Sequence, residues 1–558
     1  MAEPTIQLGG GNWAGKTDNL LGYYKEGERF YKQDFTFSRS TTGTYTDSDG
    51  YIQEMPYNLL TYSEDFSQWS LNTSGISSIE ANYAASPEGL QNAYKVNFIV
   101  QSDSDLSLSQ IHTITGGSTY VYSIYIKGEG TNIGKDVVIK SKRHGGGDSA
   151  GTTTTQTLTN EWKRINFTTT YAANNINGRL LISSNDATSC LIYGAQAEEG
   201  TSAKTYFPTT TRLNMPRVSY LNNSNGSLIL EPQRTNLITH SESFTDSSYV
   251  DNGVSFTLGF LSPDGNLNAS KLLENNTNSI HRFYQTSLVT ASPNATISIY
   301  VKYNGRRFVL LRIADSTVGR WYDVENGVLG SIFQGTPNDS TIESVGDNWY
   351  RITISHSVTS QARFELWVSD TESTSAYQGD TTKGVYIWGA QLEVGSYPTT
   401  LINTSGSSVT RNADACSLTN VADRIGQTEG VVYMDFVAQR TDGVSQSHFW
   451  LGASGSEIGL YGGSQFIFYS SGGVQINGGN IVNGQRYKVA FGYKANDYVA
   501  YINGTQVGTD TSATVPTMSA LVLNSYFDGT ELQKKDINDF KLYNTKLSNS
   551  ELATLTTL

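Results

Sequence analysis

Short stretches in which apolar and polar residues alternate recur along most of the chain. Clear examples are residues 122–127, 297–302, 431–437, 447–451, 465–469, 487–493 and 498–502. A period of two places successive side chains on opposite faces of a pleated strand, so these stretches predict half-buried β-strands. Helix-forming residues such as Ala, Leu, Glu and Lys dominate no long stretch. We therefore predict an all-β fold.

Two segments of similar length carry the same signatures in the same order. The opening pattern Asn-Leu-(Leu/Ile)-Thr-X-Ser-Glu-X-Phe stands at residues 58–66 and again at 236–244, an offset of 178 (236 − 58). The later pairs are residues 122–127 with 297–302, 161–167 with 348–354, and 192–198 with 387–393, the last sharing Gly-Ala-Gln-X-Glu. Four agreements in one order predict two homologous jelly-roll β-sandwiches, at residues 51–208 and 236–400.

The rest of the chain divides into connectors and a different β pattern. Residues 209–235 form a connector with turn signals, and residues 401–425 form a Gly/Ser-bearing linker. Residues 426–558 are a run of short alternating strands separated by turns, two of which carry Asn-Gly, the strongest short hairpin signal. This last segment predicts a second kind of β-sandwich.

The first 50 residues are too short to bury a core alone. The pattern predicts a strand pair from residue 34 to residue 51 around a turn at Asp47-Ser48-Asp49-Gly50. We expect the segment to dock elsewhere. A segment that binds another protein and a disordered leader are both compatible with this sequence.

Composition and charge exclude several classes of function. A chain of 558 residues is too long for one core, and its net charge of −13 argues against nucleic acid and anionic membranes, which need clustered Lys and Arg. The N-terminus lacks the basic and apolar regions of a signal peptide, and no apolar run is long enough for a membrane helix. The two cysteines, Cys190 and Cys416, form neither a disulfide framework nor a metal-type spacing.

Candidate catalytic and metal-binding residues are sparse. A hydrolase of the concanavalin A-like fold needs two facing carboxylates, and the best-placed strand, residues 431–437, offers Asp435 alone. The six histidines show no pair at metal spacing. Asp47-Ser48-Asp49-Gly50 resembles part of a calcium loop but lacks the distal bidentate Glu, so a plain turn is favoured, although Ca²⁺ stays open. We predict no catalytic residue, no metal site and no cofactor, and hence a protein that is not an enzyme.

Sugar binding rests on aromatic rings that stack on apolar pyranose faces, and Tyr and Trp are plentiful here. Trp162, Trp349 and Trp388 lie inside the repeated signatures, where a core role is favoured because the same place is filled in both copies. The candidate carbohydrate-binding residues are therefore those of the last segment: His448, Trp450, Tyr461 and Tyr469.

Several motifs together resemble phage tail and head fibre-type proteins with tandem carbohydrate-binding-module-like jelly rolls. They are Phe35-Thr36-Phe37-Ser38-Arg39-Ser40-Thr41-Thr42-Gly43-Thr44-Tyr45, Pro216-Arg217-Val218-Ser219-Tyr220, Leu228-Ile229-Leu230-Glu231-Pro232-Gln233-Arg234-Thr235-Asn236-Leu237 and Trp388-Gly389-Ala390-Gln391-Leu392-Glu393. The resemblance covers roughly residues 35 to 415. The last segment resembles a concanavalin A-like lectin or laminin G-like domain, which implies a short helical turn where Ser548 and Glu551 have the spacing of a capping box.

The resemblance implies a structural component of a bacteriophage virion, made in the host cytoplasm and placed on the capsid or tail surface. By the same analogy, residues 1–50 are an attachment segment for other virion proteins, the assembly is a homotrimer, and host-surface glycans are ligands. Neither nucleic-acid binding nor membrane insertion is expected. A phage-borne polysaccharide depolymerase and a cell-surface lectin-like adhesin are the alternatives, because a fold alone does not decide function.

Overall fold

The fold is described here from a computed structural model, which divides the chain into two compact units. The structure describes residues 2–10, 14–16, 19–26, 29–39, 41–55, 58–101, 105–114, 116–145, 151–172, 177–203, 206–209, 216–285, 289–314, 318–372, 376–438 and 446–558. Unit 1 combines Met1–Met55 with Pro216–Leu558, and unit 2 is Pro56–Met215. No helix in the described part of the chain is long and apolar enough to cross a membrane.

The N-terminal segment contributes short strands to unit 1. They are β1 (Ile6–Gly9), β2 (Ala14–Lys16), β3 (Asn19–Glu26), β4 (Arg29–Ser38), β5 (Thr44–Thr46) and β6 (Ile52–Glu54). Strands β5 and β6 pair as a hairpin around the predicted turn, where Asp47 Oδ1 accepts hydrogen bonds from the backbone N–H groups of Asp49 (3.0 Å) and Tyr51 (2.9 Å).

Unit 2 is a β-sandwich of two antiparallel sheets. Its strands are β7 (Ser70–Leu71), β8 (Ile76–Ala84), β9 (Ala93–Phe98), β10 (Leu108–Thr113), β11 (Thr119–Lys127), β12 (Asp136–Arg143), β13 (Thr153–Thr157), β14 (Lys163–Thr170), β15 (Asn177–Ser183) and β16 (Ser189–Glu199), with 3-10 turns at Phe66–Gln68 and Gly130–Asn132. One sheet has the order β13-β12-β15-β10-β7 and the other β14-β11-β16-β9-β8. Apolar side chains from both sheets form the core between them.

The second sandwich, in unit 1, repeats this arrangement with one more strand in each sheet. After β17 (Arg217–Ser219), β18 (Ser227–Leu230) and β19 (Arg234–Asn236) come β20 (Tyr249–Asn252), β21 (Val254–Phe260), β22 (Ala269–Glu274), β23 (Asn278–Ser279), β24 (Arg282–Gln285), β25 (Val289–Asn304), β26 (Phe308–Ile313), β27 (Val318–Asp323), β28 (Val328–Gln334), β29 (Asp339–Ser344), β30 (Trp349–Ala362), β31 (Phe364–Ser369), β32 (Tyr377–Gln378) and β33 (Gly384–Val394). The sheets are β20-β24-β31-β26-β27-β28 and β21-β22-β33-β25-β30-β29. Successive side chains of a strand point to opposite faces of its sheet, and on β31 the alternate residues Phe364, Leu366 and Val368 enter the core.

The last sandwich draws strands from distant parts of unit 1. Strand β34 (Val409–Arg411) precedes it and pairs with β19 in a separate two-stranded sheet. Its own strands are β35 (Ala415–Leu418), β36 (Glu429–Ala438), β37 (Ser447–Ala453), β38 (Ser456–Tyr461), β39 (Gln465–Ser470), β40 (Val474–Asn480), β41 (Arg486–Lys494), β42 (Tyr498–Ile502), β43 (Thr505–Asp510), β44 (Leu521–Leu523) and β45 (Lys535–Tyr543), followed by helix α1 (Asn549–Thr556). Strands β43, β42, β41, β36 and β45 pair in that order in one layer, and β40, β39, β38, β37, β44, β35 and β4 in the other. Strands β1 and β18 both pair with β45.

These sheets confirm the prediction of an all-β fold of β-sandwiches. The capping box is also present, because the Ser548 side chain accepts from the Glu551 backbone N–H and the Glu551 side chain accepts from that of Ser548. Trp349 and Trp388 are buried as predicted, whereas Trp162 is half-buried at the surface and donates its indole N–H to the Ala85 carbonyl (3.0 Å). The core role predicted for Trp162 is therefore wrong. Trp162 immediately precedes β14, which is an edge strand of its sheet, so one side of the ring stays open to solvent.

Described residues of the N-terminal segment and of the first connector pack into the core of unit 1. Ile6, Phe35 and Leu228 lie in the same hydrophobic core as the strands of the last sandwich. Burying such apolar side chains against a sheet that already exists is more favourable than leaving a short segment to form a core of its own. The described strands of the N-terminal segment thus pair with other strands of the same chain. Binding of this segment to another virion protein stays a prediction. The predicted limits of the domains stay predictions as well.

A buried asparagine explains why the opening and closing signatures repeat. Asn236 donates from Nδ2 to the carbonyls of Ala390 (3.1 Å) and Ile402 (2.9 Å), and its Oδ1 accepts from the N–H groups of Ile238 and Leu392 (3.1 Å each). The side chain is 0% exposed. It therefore closes the start of the sandwich onto its last strand.

Unit 2 contains the same latch, built on Asn58. The Asn58 side chain donates to the carbonyls of Ala195 (2.8 Å) and Phe207 (3.2 Å) and accepts from the N–H groups of Leu60 and Ala197 (3.0 Å each). In both copies the amide satisfies four backbone groups that burial would otherwise leave unpaired. The repeated residues are thus required by the fold.

A second set of motif residues meets in a buried ionic cluster of unit 1. Its members are Arg39, Arg217, Glu231, Arg411 and Asp414, each no more than 2% exposed. They come from the N-terminal segment, the first connector and the linker after the second sandwich. The cluster therefore ties together three stretches that are far apart in sequence.

Hydrogen bonds link the cluster into one network. Asp414 accepts from Arg39 Nη1 at Oδ1 (2.8 Å) and from Arg217 Nη2 at Oδ2 (2.6 Å). Glu231 Oε2 accepts from Arg217 Nη2 (2.9 Å) and Arg411 Nη1 (2.5 Å), while Thr400 donates its N–H to Oε1 (2.8 Å). Burial lowers the pKa of Arg39 to about 10, so it stays protonated at neutral pH. Buried charges need such paired, hydrogen-bonded surroundings.

Candidate functional site

Aromatic side chains cluster on the outer face of the last sandwich, across strands β37, β38 and β39 and the loop after β44. We call this cluster the aromatic patch; its members are Trp450, Tyr461, Tyr469, Tyr526 and Phe527. The Trp450 ring lies at the centre, 5.7 Å from Tyr461, 5.9 Å from Tyr469, 5.2 Å from Tyr526 and 6.3 Å from Phe527, measured between ring centroids. These separations are typical of interacting aromatic rings.

A glycine makes room for the central ring. Trp450, Gly459 and Tyr469 stand opposite one another on the three adjacent strands. A Cβ atom at Gly459 would lie 2.2 Å from Cε3 of Trp450, so the indole occupies the space that a side chain would need. The rings of Trp450 and Tyr461 can then stack with an interplanar angle of 17°.

Polar bonds fix the edge of the patch. The Trp450 indole N–H donates to Ser447 Oγ (2.7 Å), and that hydroxyl donates to Glu531 Oε2 (2.6 Å). The Tyr526 hydroxyl donates to Ser454 Oγ (3.0 Å). Burial raises the pKa of Tyr461, and the neighbouring Tyr469 and Glu531 add to the shift, so its hydroxyl stays protonated at neutral pH. The rings are thus held in place before any ligand arrives.

Exposure separates the central ring from the outer ones. Trp450 is only 5% exposed, whereas Tyr461, Tyr469, Tyr526 and Phe527 are half-buried. The tryptophan therefore supports the patch from below, and the outer rings offer the surface that a ligand can reach. Clustered, partly exposed aromatic rings of this kind are typical of binding surfaces.

Three of the four predicted binding residues come together here, but His448 does not. It is 0% exposed, with its ring 5.1 Å from that of Phe436 and 5.2 Å from that of Phe466 in the core. The pairing of β37 with β38 shifts register between Ser447 and Phe449, so His448 occupies a β-bulge. A bulge breaks the alternation of faces, which is why a residue two positions before Trp450 points into the core. The prediction of His448 as a sugar-binding residue is wrong.

Tyr526 and Phe527 were not predicted from the sequence. They follow β44 in a loop, and loops show none of the periodicity that identifies strand faces. The adjacent aromatic pair followed by Asp528-Gly529 was the available signal, since a turn beside exposed rings is a common setting for ligand contacts.

The carboxylates considered for chemistry have protein partners. Asp435 accepts from Arg486 Nε (2.8 Å) and Nη2 (2.6 Å), and from Asn538 Nδ2 (2.9 Å). The Asp47-Gly50 segment forms the turn described above. Among the residues that the structure describes, no three or more His, Cys, Asp or Glu side chains are grouped so as to hold a metal ion.

One carboxyl group of the second sandwich should titrate near neutrality. Burial raises the pKa of Glu242 to about 7, and the charges of Asp264 and Glu54 add to the shift. Since the folded pKa lies above the ordinary 4.5, ionisation opposes folding increasingly as the pH rises from 4.5 to 7. Glu242→Gln is expected to stabilise unit 1 by about 3 kcal/mol at pH 8, at 1.36 kcal/mol per pKa unit, and to have little effect at pH 4.5.

Calorimetry of both proteins at pH 4.5 and pH 8 measures this difference. Glu325→Gln, which removes an exposed carboxylate from the same sandwich, is the control and should change the transition temperature little at either pH. An equal gain from Glu242→Gln at both pH values would contradict titration of Glu242.

Comparisons with known proteins identify no family for the chain. No protein-family model matches it, and no curated protein matches it. Solved structures similar to it include the tandem CBM22-1–CBM22-2 domain of Paenibacillus barcinonensis Xyn10C (11% identity, 61% of this chain, 98% of that chain, TM-score 0.23). Trypanosoma rangeli sialidase in complex with sialic acid (13%, 93%, 97%, TM-score 0.22) and mouse laminin α1 domains LG4-5 (10%, 54%, 93%, TM-score 0.17) are further examples.

These likenesses correct one prediction. The chain was predicted not to be an enzyme, and the presence of sialidase structures among the similar ones contradicts that prediction. At identities of 11–13% and TM-scores of 0.22–0.23, the likeness assigns no activity to this chain and no reaction to any residue. The β-sandwich architecture implied by the sequence resemblance is confirmed by the sheets themselves.

Proposed function

We propose that the protein binds glycans through the aromatic patch of its last sandwich. The observation that carries this proposal is the ring of half-buried side chains, Tyr461, Tyr469, Tyr526 and Phe527, held around the buried Trp450. Pyranose rings present apolar C–H faces that stack on aromatic rings, and their hydroxyls bond to nearby polar groups. The net charge of −13 favours uncharged glycans over polyanions.

Removal of two outer rings tests this proposal. The double variant Tyr461→Ala with Tyr526→Ala is expected to bind glycan about tenfold more weakly, because each lost stacking contact is worth about 0.5–1.5 kcal/mol. A glycan array probed with the full chain identifies the best-bound neutral glycan, and calorimetric titration then gives the affinity of each variant.

A matched control separates the patch from tyrosines in general. Tyr303→Ala removes a ring that is 38% exposed on the second sandwich, and it should leave the affinity within about twofold. Unchanged binding by the double variant would rule out the patch as the glycan site.

Within the same proposal, the protein is a component of a bacteriophage virion that displays glycan-binding domains for adhesion to the host surface. Support comes from the fibre-type motifs around Arg39, Arg217 and Glu231, which meet in the buried ionic cluster. The homotrimer and the attachment through residues 1–50 belong to this proposal as well. Mass spectrometry of purified particles is the direct test, and absence of the chain from every particle fraction would exclude the virion role.

A further inference from the structure

A cleft of about 500 Å³ lies within unit 1, between the second sandwich and the last one. Its floor is the outer face of the last sandwich. There Ile229, Asp536 and Val437 stand opposite one another on the adjacent strands β18, β45 and β36. This volume is within the usual range for small-ligand sites.

The facing wall is an edge strand of the second sandwich. Asp339, Thr341 and Glu343 are alternate residues of β29, so their side chains share the face that lines the cleft. The hairpin formed by β5 and β6 contributes Tyr45 and Ile52 as a third side. Three separate parts of the chain thus build one concave surface.

Two side-chain amides hold the walls at a fixed distance. Asn483 Nδ2 donates to Asp339 Oδ2 (3.0 Å), and Asn222 Nδ2 donates to Glu343 Oε1 (2.7 Å). Each bond joins an element outside the second sandwich to its edge strand β29. The cleft is therefore formed in advance, which lowers the cost of ordering it around a ligand.

The lining is polar but balanced in charge. Its hydroxyl and amide groups include those of Thr44, Thr46, Ser219, Thr341, Asn223 and Asn538. Three carboxyl groups, of Asp339, Glu343 and Asp536, line it together with three cationic groups, of Arg351, Arg486 and Lys534. The rings of Tyr45 and Tyr397 add apolar area. Such a surface suits an uncharged ligand that has both hydroxyl groups and apolar faces.

One polar group in the floor lacks a full set of partners. Oδ1 of Asp536 is buried and has no hydrogen-bond partner. Burial also raises the pKa of this carboxyl. An orphaned polar atom costs stability, and because this oxygen has almost no accessible surface, a ligand hydroxyl would reach it only after a shift of the surrounding side chains.

We propose that this cleft is a second, separate binding site that takes a short uncharged saccharide. This inference goes beyond the proposed function, because the cleft shares no residue with the aromatic patch. Binding in the cleft does not require that the patch bind glycan. A second site on the same unit would raise the avidity for a glycan that reaches both.

The experiment uses the full chain with both outer patch rings removed (Tyr461→Ala with Tyr526→Ala), so that binding at the patch does not contribute. Saturation-transfer difference NMR with maltotriose, cellotriose and N,N′,N″-triacetylchitotriose as probes should show transfer to at least one of them. Adding Thr341→Trp, which fills the cleft from the β29 wall, should weaken that binding at least tenfold. Val437→Trp fills the cleft from the floor and should also weaken probe binding at least tenfold. Because the two variants block the cleft from different sides, the test still works if one of them fails to fold.

Thr257→Trp is the matched control. Thr257 and Thr341 are exposed threonines on β21 and β29, the two edge strands of one sheet, and only Thr341 lines the cleft. The control should bind within about twofold of the patch-free parent. Absence of transfer to all three probes in that parent, or binding unaffected by both tryptophans, would overturn the cleft site and leave the patch proposal standing.

Discussion

Replacement of Asp414 by alanine is expected to lower the free energy of unfolding of unit 1 by about 3–5 kcal/mol. The carboxylate is 0% exposed and accepts from Arg39 (2.8 Å) and Arg217 (2.6 Å). Removing one partner of a buried ion pair leaves the other charge buried without compensation. This loss of folding free energy is larger than the net stabilisation that the intact pair provides. Differential scanning calorimetry of the full chain should show a lower transition for unit 1 and an unchanged transition for unit 2.

An exposed pair provides the control for this substitution. Asp347 Oδ2 lies 2.8 Å from Lys302 Nζ with the Asp347 side chain 66% exposed, so Asp347→Asn, which keeps a residue type that tolerates the positive φ of this position, should cost at most about 1 kcal/mol. Equal effects of the two substitutions would mean that the buried cluster contributes no more than a surface ion pair.

The ionic cluster also makes the stability of unit 1 depend on pH. Burial by itself would raise the pKa of Glu231, but Arg411 and Arg217 hold it well below its ordinary value of 4.5. A carboxylate whose pKa is depressed by folding contributes its full stability above the unfolded pKa and loses it as the pH falls toward the folded one. Unit 1 should therefore become less stable as the pH falls below about 4.5.

Asn236→Ala is expected to destabilise the second sandwich by about 3–5 kcal/mol. The substitution leaves two carbonyls and two N–H groups buried without partners, and each unsatisfied group costs roughly 1–3 kcal/mol before relaxation or entry of water recovers part of the loss. Calorimetry should show the loss in the transition of unit 1.

The repeat supplies a reciprocal experiment. Asn58→Ala removes the matching latch and should lower the transition of unit 2 alone. Asn276→Ala, at an exposed asparagine, should stay within about 0.5 kcal/mol of the wild type. Loss of stability in the same transition from both latch substitutions would contradict independent latches in the two copies.

Local patterns in the sequence were sufficient where packing is local. Strand β42 begins and ends at the predicted residues, Tyr498 and Ile502, because it is buried on both faces between turns. The capping box of α1 was predictable for the same reason, since Ser548 and Glu551 satisfy each other within one helical turn. These features depend on neighbours only a few residues away.

Pairings between distant segments could not be predicted in this way. Strands β1 and β18 are four residues long, and their pairing with the distant strand β45 places them on the last sandwich. The ionic cluster has the same character, because Arg39 and Asp414 are 375 positions apart. A charged residue in a connector gives no sign by itself that it will be fully buried.

The candidate site shows the same division. Trp450, Tyr461 and Tyr469 were predicted from residue type in alternating strands, and they do share one face. The bulge that turns His448 into the core depends on the pairing of β37 with β38, which a single strand does not reveal. The cleft was not anticipated, because its walls come from three separate parts of the chain.

The pairing of β1 with β45 fixes an order of events during synthesis. The backbone N–H of Thr5 bonds to the carbonyl of Leu542, 537 positions later, so β1 pairs with β45 only when residue 542 has left the ribosome. Strand β1 also pairs with the nearby strand β3, at Gln7 and Tyr23, and that partner is made early. Unit 2 contains both of its sheets within residues 56–215 and can fold long before β45 is made. Throughout translation of the remaining chain, β1 lacks the strand that pairs with all four of its residues. Strand β1 therefore reaches its final pairing much later than the first sandwich.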